Sequence, residues 1–279
     1  MIIDFHTHTF PERIACAAID KLQRASRCRA FSDGTAQGLR ASMRRAGIDL
    51  CVSLPVATNP VKAASMNDLS LRETEKDGLL YFGAIHPDTP DAAGELARIA
   101  RAGLRGVKLH PVYQDVRIDD PRMIRLLEKA GELGLIVLMH AGEDIGFPGV
   151  VRCSPEMTAQ TLRQAGPVKL ICAHMGGWRN WEEVIDFLGG TTVFLDTAFS
   201  LGDLSPLEPG DHAGEDRHML SAQAFCRIVR AFGSKRILFG TDSPWSDQAA
   251  SLAAIRALPL TQEEKDDILG NNARALLGL

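Results

Sequence analysis

Short apolar runs alternate along this chain with longer stretches in which apolar side chains recur every three or four residues. The runs have the length of buried strands, and the longer stretches have the period of amphipathic helices. The predicted strands cover residues 1–8, 49–54, 79–85, 104–109, 135–139, 168–173, 192–195 and 236–239. The predicted helices cover residues 11–24, 36–46, 56–75, 90–102, 121–133, 155–164, 180–188 and 219–232, with further helical sequence up to residue 279.

This alternation predicts the fold class. Strands that are apolar throughout are typical of a parallel sheet that is buried on both faces. Eight successive strand–helix pairs predict an α/β fold, a (β/α)₈ barrel, as a single domain over residues 1–279. An open doubly wound sheet is the alternative, but the chain lacks the Gly-x-Gly-x-x-Gly motif that would support it.

The first predicted strand carries two histidines on one face. Side chains alternate along a strand, so Asp4, His6 and His8 point to the same side. If that side faces the interior of a barrel, the two imidazoles converge near the end of the strand, which suits a metal ion. Asp4 lies two residues below His6 and is expected to be buried support.

Polar residues also stand at the ends of three later strands. His140 ends the fifth, His174 the sixth and Asp242 the eighth. In a (β/α)₈ barrel these ends meet at the face that carries the active site. Convergence on one cation would satisfy these buried polar groups together with His6 and His8. Asp242 taken alone could instead cap a helix.

Composition and charge narrow the class of partner. The chain has 279 residues, of which 45% are hydrophobic and 24% charged, and its net charge of -4 offers no basic field for nucleic acid. A small-molecule substrate is therefore expected. No apolar stretch is long enough for a membrane span. Six cysteines without metal-site spacing indicate free thiols and a cytoplasmic protein, and a cleaved signal peptide would remove the histidine pair.

Together, these motifs resemble the amidohydrolase superfamily. The resemblance rests on His-x-His in the first strand, the histidine after the fifth, His-Met-Gly-Gly after the sixth and Gly-Thr-Asp-x-Pro after the eighth. The most similar branch is the amidohydrolase-related group, whose members resemble aminocarboxymuconate semialdehyde decarboxylase. The segment 269–274, Leu-Gly-Asn-Asn-Ala-Arg, is similar to the closing motif of that group.

The resemblance implies a metal centre and roles for the residues around it. His6, His8, His140 and Asp242 would hold one divalent ion, with zinc as the first expectation and manganese as the second. His174 would stand beside the metal-bound water as an acid or base, and Asp242 could share that role. The resemblance also makes a homodimer a fair expectation.

Lys108 stands on the fourth strand, where binuclear amidohydrolases carry a carboxylated lysine between two metals. The pattern of His140 and Asp242 nevertheless resembles the mononuclear branch. The alternatives for Lys108 are a charged group that contacts substrate or a buried partner of an acid.

Other candidates for substrate binding follow strand ends. They are His110, which shares a face with Lys108, and Arg152, Arg179 and Trp245 in the loops. Asp196 could orient a ligating histidine. Residues 198–217 show no clear period and are expected to form a lid or a binding loop.

The ligand set leaves the reaction open. The first expectation is a metal-dependent hydrolase in which activated water attacks a carbonyl carbon of a small cyclic ester or amide. The alternative is a metal-dependent nonoxidative decarboxylase of a small carboxylic acid. A binding module and a phosphoesterase are further possibilities, but no ligand position appears lost and no basic phosphate cradle is evident.

Overall fold

The computed structural model describes residues 1–213 and 219–279. These residues form two compact units. Unit 1 comprises Met1–Ser53, Ile145–Pro148 and Asp196–Leu279, and unit 2 comprises Leu54–Asp144 and Gly149–Leu195. The single domain over residues 1–279 stays a prediction.

Strands and helices alternate in the described chain as the sequence pattern predicts. The strands are β1 Ile3–Thr7, β2 Leu50–Ser53, β3 Leu79–Tyr81, β4 Gly83–Ala84, β5 Gly106–Leu109, β6 Ile136–Met139, β7 Glu143–Asp144, β8 Phe147–Val151, β9 Lys169–Cys172, β10 Phe194–Asp196 and β11 Ile237–Leu238. The helices are α1 Glu12–Ser26, α2 Ala36–Ala46, α3 Ala63–Glu73, α4 Ala92–Arg101, α5 Pro121–Glu132, α6 Pro155–Ala165, α7 Trp181–Leu188, α8 Ala222–Phe232, α9 Gln248–Ala257, α10 Gln262–Asp266 and α11 Asn272–Leu277.

Several helices begin where the sequence provides a capping side chain. Asp120 precedes α5 and accepts a hydrogen bond from the backbone N–H of Arg122, and Ser154 does the same for Met157 in α6. A proline follows each cap at the first helical position, where its missing N–H costs nothing. α2 ends at Gly47, whose φ of 70° lies in the left-handed region that favours glycine.

Unit 2 contains a parallel sheet in the order β4, β5, β6, β9, β10. Val107 of β5 is paired with Val137 of β6, and Val137 with Leu170 of β9. All four residues of β5 and of β6 are buried, as expected for a parallel sheet covered on both faces. Lys108 lies within this buried region, next to the ends of the strands.

Unit 1 places β1 between two neighbouring segments. On one side β1 pairs in parallel with β2, and on the other the N–H of Phe5 donates to the carbonyl of Phe239 over 2.8 Å. Gly240 permits this approach, because a Cβ there would lie 2.8 Å from the Cβ of His6. The sequence that follows β11 is therefore held beside His6 of β1.

Three details differ from the sequence pattern or extend it. The strand predicted at 79–85 is interrupted at Phe82, and the short strands β7 and β8 were not predicted, since β8 is largely exposed and contains Pro148 and Gly149. Residues 198–213 of the predicted loop contain neither helix nor strand, and 214–217 lie outside the described residues.

The structure bears on two further expectations, free cysteines and the absence of a membrane-spanning helix. All six cysteines are free thiols, as predicted. Within residues 1–213 and 219–279, no helix combines the length and the apolar character that a bilayer crossing requires.

Candidate metal centre and acid–base groups

Unit 1 brings together three of the predicted metal ligands. Oδ1 of Asp242 lies 3.1 Å from Nε2 of His8 and 3.5 Å from Nε2 of His6. The side chain of His6 is 1% exposed, whereas those of His8 and Asp242 keep 16% and 14% of their surface. The cluster is therefore anchored in the core on one side and accessible on the other.

These spacings fit a divalent cation. Donor atoms on a tetrahedral ion with bonds of about 2.1 Å lie about 3.4 Å apart, and those on an octahedral ion slightly closer. Two imidazole nitrogens and one carboxylate oxygen are donors that both zinc and manganese accept. The three residues therefore fit a divalent cation. Because one side of the cluster is partly exposed, such a cation would keep a coordination position open for water or substrate.

Asp196 determines which nitrogen of His6 is available. Oδ2 of Asp196 lies 2.8 Å from Nδ1 of His6, and the carboxylate is completely buried. A carboxylate only accepts, so Nδ1 carries the proton and Nε2 presents its lone pair. That lone pair faces Oδ1 of Asp242, which is also an acceptor. A cation between the two would turn this repulsion into attraction, which is a second reason why the donor set fits a metal.

The backbone around Asp242 is strained and tightly held. Asp242 has a φ of 64°, a left-handed conformation that is unusual for a residue with a side chain. Its N–H donates to the carbonyl of His6 over 2.8 Å. The buried Asp4 accepts hydrogen bonds from the N–H groups of His6 and Thr241. Burial raises the pKa of Asp4 to about 6, although these hydrogen bonds act to lower it.

The other predicted site histidines lie together in unit 2. Nε2 of His174 is 3.0 Å from Nδ1 of His140, and both side chains are buried. His174 has a φ of 59° and is followed by Met175 at 54°, so the chain turns sharply at the end of β9. Strained backbone of this kind concentrates at functional sites.

His140 is electrically neutral in the folded protein. Burial lowers its pKa well below 6.5, and the neighbouring His110 and His174 lower it further. Nε2 of His140 lies 3.1 Å from the carbonyl of Glu143, which can only accept, so the proton is on Nε2 and the lone pair on Nδ1. A neutral imidazole with one fixed lone pair is the form that binds metals. Ligation by His140 nevertheless stays a prediction.

A second group of potential ligands, His110, His140 and Asp144, is buried beside these histidines. The ring of His110 stacks on His140 and on Tyr113, each at 3.9 Å between centroids. Nδ1 of His110 accepts from the N–H of Tyr113, so its proton is on Nε2, which faces Asp144 over 3.4 Å. Because His110 and His140 both carry their protons on Nε2, they offer hydrogen-bond donors there, and this group does not fit a metal ion.

The predicted substrate-binding residues occupy different surroundings. Lys108 is buried, and its charge contributes to the low pKa of His140. Arg152 forms an ion pair with the exposed Asp115, and Arg179 is exposed with its guanidinium 4.7 Å from the ring centre of Trp178. In unit 1, the backbone N–H of Trp245 donates to the carbonyl of Asp242 over 2.8 Å, and the residue is half-buried. Substrate binding by these residues stays a prediction.

Asp144 and Tyr113 belong to the group around His110, although no sequence pattern pointed to them. Asp144 is buried beside His110, and Tyr113 covers the outer face of the same ring. Asp144 follows His140 by four residues in a short segment that has no strong period, and an acidic residue in a loop is usually solvated. The sequence pattern therefore did not show that the carboxylate of Asp144 is buried.

Several solved structures share the fold of this chain over its whole length. An uncharacterised TIM-barrel protein from Bordetella bronchiseptica matches with a TM-score of 0.74 at 18% identity, covering 99% of this chain and 98% of that one. This similarity confirms the predicted (β/α)₈ barrel. No curated protein matches the chain.

Two further structures of this fold are enzymes. A dihydroxybenzoic acid decarboxylase from Polaromonas sp. JS666, with bound manganese and the inhibitor 2-nitroresorcinol, has a TM-score of 0.71 at 16% identity and covers 100% of this chain and 97% of its own. A putative 2-pyrone-4,6-dicarboxylic acid hydrolase from Pseudomonas putida has a TM-score of 0.66 at 19% identity, with 99% and 97% covered. Other decarboxylases are among the similar structures.

The sequence matches one family model almost completely. The model is described as Amidohydrolase, and it aligns with residues 3–279. The match includes His6 in β1, His8 just after that strand and the turn that carries Asp242, the residues that form the cluster in unit 1. The chain therefore belongs to the amidohydrolase family of enzymes.

Proposed function

We propose that this protein is a divalent-metal-dependent nonoxidative decarboxylase of a small carboxylic acid. The observation that carries the proposal is the cluster of His6, His8 and Asp242, with donor atoms 3.1 and 3.5 Å apart, in a fold whose similar structures are mostly decarboxylases. We take a hydroxylated aromatic acid as the substrate class, because the decarboxylase with bound manganese acts on dihydroxybenzoic acid.

The residues of unit 1 would hold the metal. His6 and His8 supply neutral nitrogens and Asp242 a negative oxygen, so a bound divalent ion would keep positive charge and attract the carboxylate of the substrate. Manganese is the first ion to test because the similar decarboxylase contains it, and zinc is the second. His140 as a further ligand is part of the proposal, with Nδ1 as its donor atom, which would then exchange its hydrogen bond with Nε2 of His174 for the metal.

The reaction requires one proton and one bond cleavage. As the bond between the ring carbon and the carboxylate breaks, its electron pair stays on the ring carbon and carbon dioxide leaves. The ring carbon then bonds to a proton supplied by an acid. We propose His174, in its doubly protonated form, as that acid: it is buried, and its Nε2, which lies 3.0 Å from Nδ1 of His140, would be free to donate to the ring carbon if His140 bound the metal.

The same residues could also serve a hydrolase, which the sequence favoured as the first expectation. Both reactions require a metal and a group that transfers a proton. The similar structures support the decarboxylase better, although one of them is a putative hydrolase. We keep hydrolysis of a small lactone or amide as the second candidate.

A homodimer and a cytoplasmic location also stay predictions.

The test is a panel of substrates with wild-type protein loaded with Mn²⁺ or Zn²⁺. Hydroxybenzoic acids are supplied, and released carbon dioxide is measured beside the loss of substrate absorbance. Small lactones and amides are supplied in parallel, and the release of acid is measured. We expect carbon dioxide from at least one acid and no opening of lactones. Lactone opening without carbon dioxide would contradict the decarboxylase and support the hydrolase.

The metal requirement is tested on the same protein. Elemental analysis should find about one divalent ion per chain, and the double variant His6→Ala/His8→Ala should lose it together with activity. His212→Ala is the matched control, because Nε2 of His212, also in unit 1, lies 2.9 Å from the carbonyl of Ser26. Wild-type protein that takes up no metal after growth with added Mn²⁺ and Zn²⁺ would contradict the proposed function.

A further inference from the structure

We infer that Asp4 is a positioning residue of the metal centre: its buried carboxylate fixes the backbone on both sides of the cluster, and thereby the distance between His6 and Asp242. The inference rests on the proposed function, since it concerns the metal that those residues would hold. It assigns Asp4 no contact with metal or substrate.

Asp4 uses both of its oxygens to join two distant segments. Oδ1 accepts hydrogen bonds from the N–H of His6 over 3.2 Å and from the N–H of Thr241 over 3.0 Å. Oδ2 accepts from the hydroxyl of Thr241 over 2.6 Å and from the amide of Gln248 over 2.7 Å. The buried side chain of Asp4 therefore holds the backbone of the proposed ligand His6 and that of Thr241, which precedes the proposed ligand Asp242.

The bonds of Asp4 extend to the far side of Asp242. The hydroxyl of Thr241 donates to Asp4 and also accepts from the N–H of Ser243 over 3.1 Å. Both neighbours of Asp242 in sequence are thus tied to the same carboxylate, one directly and one through the hydroxyl. These hydrogen bonds restrain the backbone on both sides of Asp242 and so hold it in its left-handed conformation, which is strained for a residue with a side chain.

Stability alone does not explain this arrangement. A buried carboxylate costs more to desolvate than a buried amide or hydroxyl, so a site that needed only a backbone bond could use either. Asn67 shows that solution in unit 2. Its side chain is fully buried, accepts from the N–H of Ala84 over 2.7 Å and donates to the carbonyl of Ala84 over 3.0 Å. Asp4 differs because it receives four donors from β1, the turn after β11 and α9.

Four variants separate positioning from stability. Asp4→Ala removes all four acceptor contacts. Asp4→Asn keeps one oxygen for the two backbone N–H groups. Its new amide would meet Nε2 of Gln248, so the Gln248 amide must turn over and present Oε1, an atom without a hydrogen-bond partner in the described chain, as the acceptor. Thr241→Val removes only the hydroxyl that ties Ser243, and Thr241→Ser retains it. Asn67→Ala is the control for losing a buried backbone contact elsewhere.

The experiment measures the Kd for Mn²⁺ from the electron paramagnetic resonance signal of free Mn²⁺, repeats it with Zn²⁺ by competition with a chelator, and records the thermal midpoint of each metal-free variant. We expect Asp4→Ala to weaken metal binding about 10–100-fold, as loss of an outer partner of a ligand typically does, and Thr241→Val to weaken it by about tenfold. Asp4→Asn and Thr241→Ser should stay within about threefold of wild type. Asn67→Ala should lower the midpoint and leave the Kd unchanged.

The outcomes distinguish this inference from the proposed function. If wild type binds metal and both Asp4→Ala and Thr241→Val bind it equally well, the positioning role is overturned while the metal centre stands. If Asp4→Ala does not fold, the comparison of Thr241→Val with Thr241→Ser decides the question alone. Wild-type protein that binds neither metal would overturn both. If Asn67→Ala weakens metal binding as much as Asp4→Ala does, the inference is also overturned, because the loss of affinity would then result from lower protein stability.

Discussion

Nδ1 of His6 lies 2.8 Å from Oδ2 of Asp196, and neither side chain is exposed by more than 1%. The two residues are 190 positions apart in the sequence. Their hydrogen bond fixes the orientation of the imidazole and directs its Nε2 towards Asp242. A carboxylate in this position also increases the basicity of the ring, which strengthens its bond to a metal.

Removing this carboxylate should weaken metal binding. In Asp196→Ala, His6 loses the acceptor that selects its tautomer, so part of the population presents a protonated Nε2 to the cluster. We expect the Kd for Mn²⁺ to rise about 10–100-fold, measured on folded protein by titration. Asp247→Ala is the matched control: Asp247 caps α9 by accepting from the N–H of Ala250, so its loss should cost about 1 kcal/mol of stability and leave the Kd unchanged. Equal affinities in wild type and Asp196→Ala would contradict the role.

His174 should affect the reaction more than metal binding. Replacement by glutamine keeps a polar side chain but removes the acid, so we expect carbon dioxide release to slow by about 10²–10⁴-fold while the metal content stays near that of wild type. The rate is followed at saturating substrate, and the metal by elemental analysis. A rate within a few-fold of wild type would assign the proton to another residue.

The low pKa of His140 predicts a loss of stability in acid. The unfolded chain takes up a proton on His140 near pH 6.5, whereas the buried ring in the folded state does not. The unfolded state therefore binds more protons below pH 6.5, and the free energy of unfolding falls as the pH decreases through that value, by at most about 1.4 kcal/mol per pH unit for this group.

Urea unfolding of metal-free protein at pH 7.5 and pH 5.5 measures the effect. His140→Asn does not titrate in this range, so the stability advantage of wild type over the variant should shrink at pH 5.5. Comparison with the variant removes the contributions of other groups, including Asp4. An advantage that is the same at both pH values would show that His140 titrates alike in the folded and unfolded states.

Gly106 in β5 should tolerate no side chain. A Cβ at this position would lie 2.4 Å from the carbonyl oxygen of Ile136 and 2.5 Å from the ring of Phe82. Both neighbours belong to the core of unit 2, so Gly106→Ala should displace β5 from β6 and destabilise the protein by about 1–3 kcal/mol. The midpoint of urea unfolding measures this change. An unchanged midpoint would mean that the strands move apart without cost.

Periodicity predicted most of the secondary structure because it reports local burial. α2 has the predicted bounds, and the predicted strands from residue 104 to 139 are confirmed with ends shifted by one or two residues. The interruption at Phe82 was not predictable, since the run from Leu79 to Ile85 is apolar without a break. β7 was missed because it has only two residues, both acidic, and β8 because it is largely exposed and contains Pro148 and Gly149.

The strand ends also indicated which polar residues lie close together in unit 1. His6, His8 and Asp242 were predicted together, and Oδ1 of Asp242 lies 3.1 Å from Nε2 of His8 and 3.5 Å from Nε2 of His6. A parallel strand ends at the same edge as its neighbours, so polar residues at that edge can be identified from their position along the chain. Asp144 was missed because a single acidic residue in a loop carries no mark of burial.

The sequence by itself determined the order of strands and helices, the family and the residue types available at the strand ends, because these follow from local patterns and from motifs. Only the tertiary structure decided which of those residues are partners. Asp4 meets Thr241 across 237 positions and Asp196 meets His6 across 190. Such pairs, and the tautomers that they impose on the histidines, depend on the packing of segments distant in the chain, and no local pattern encodes that packing.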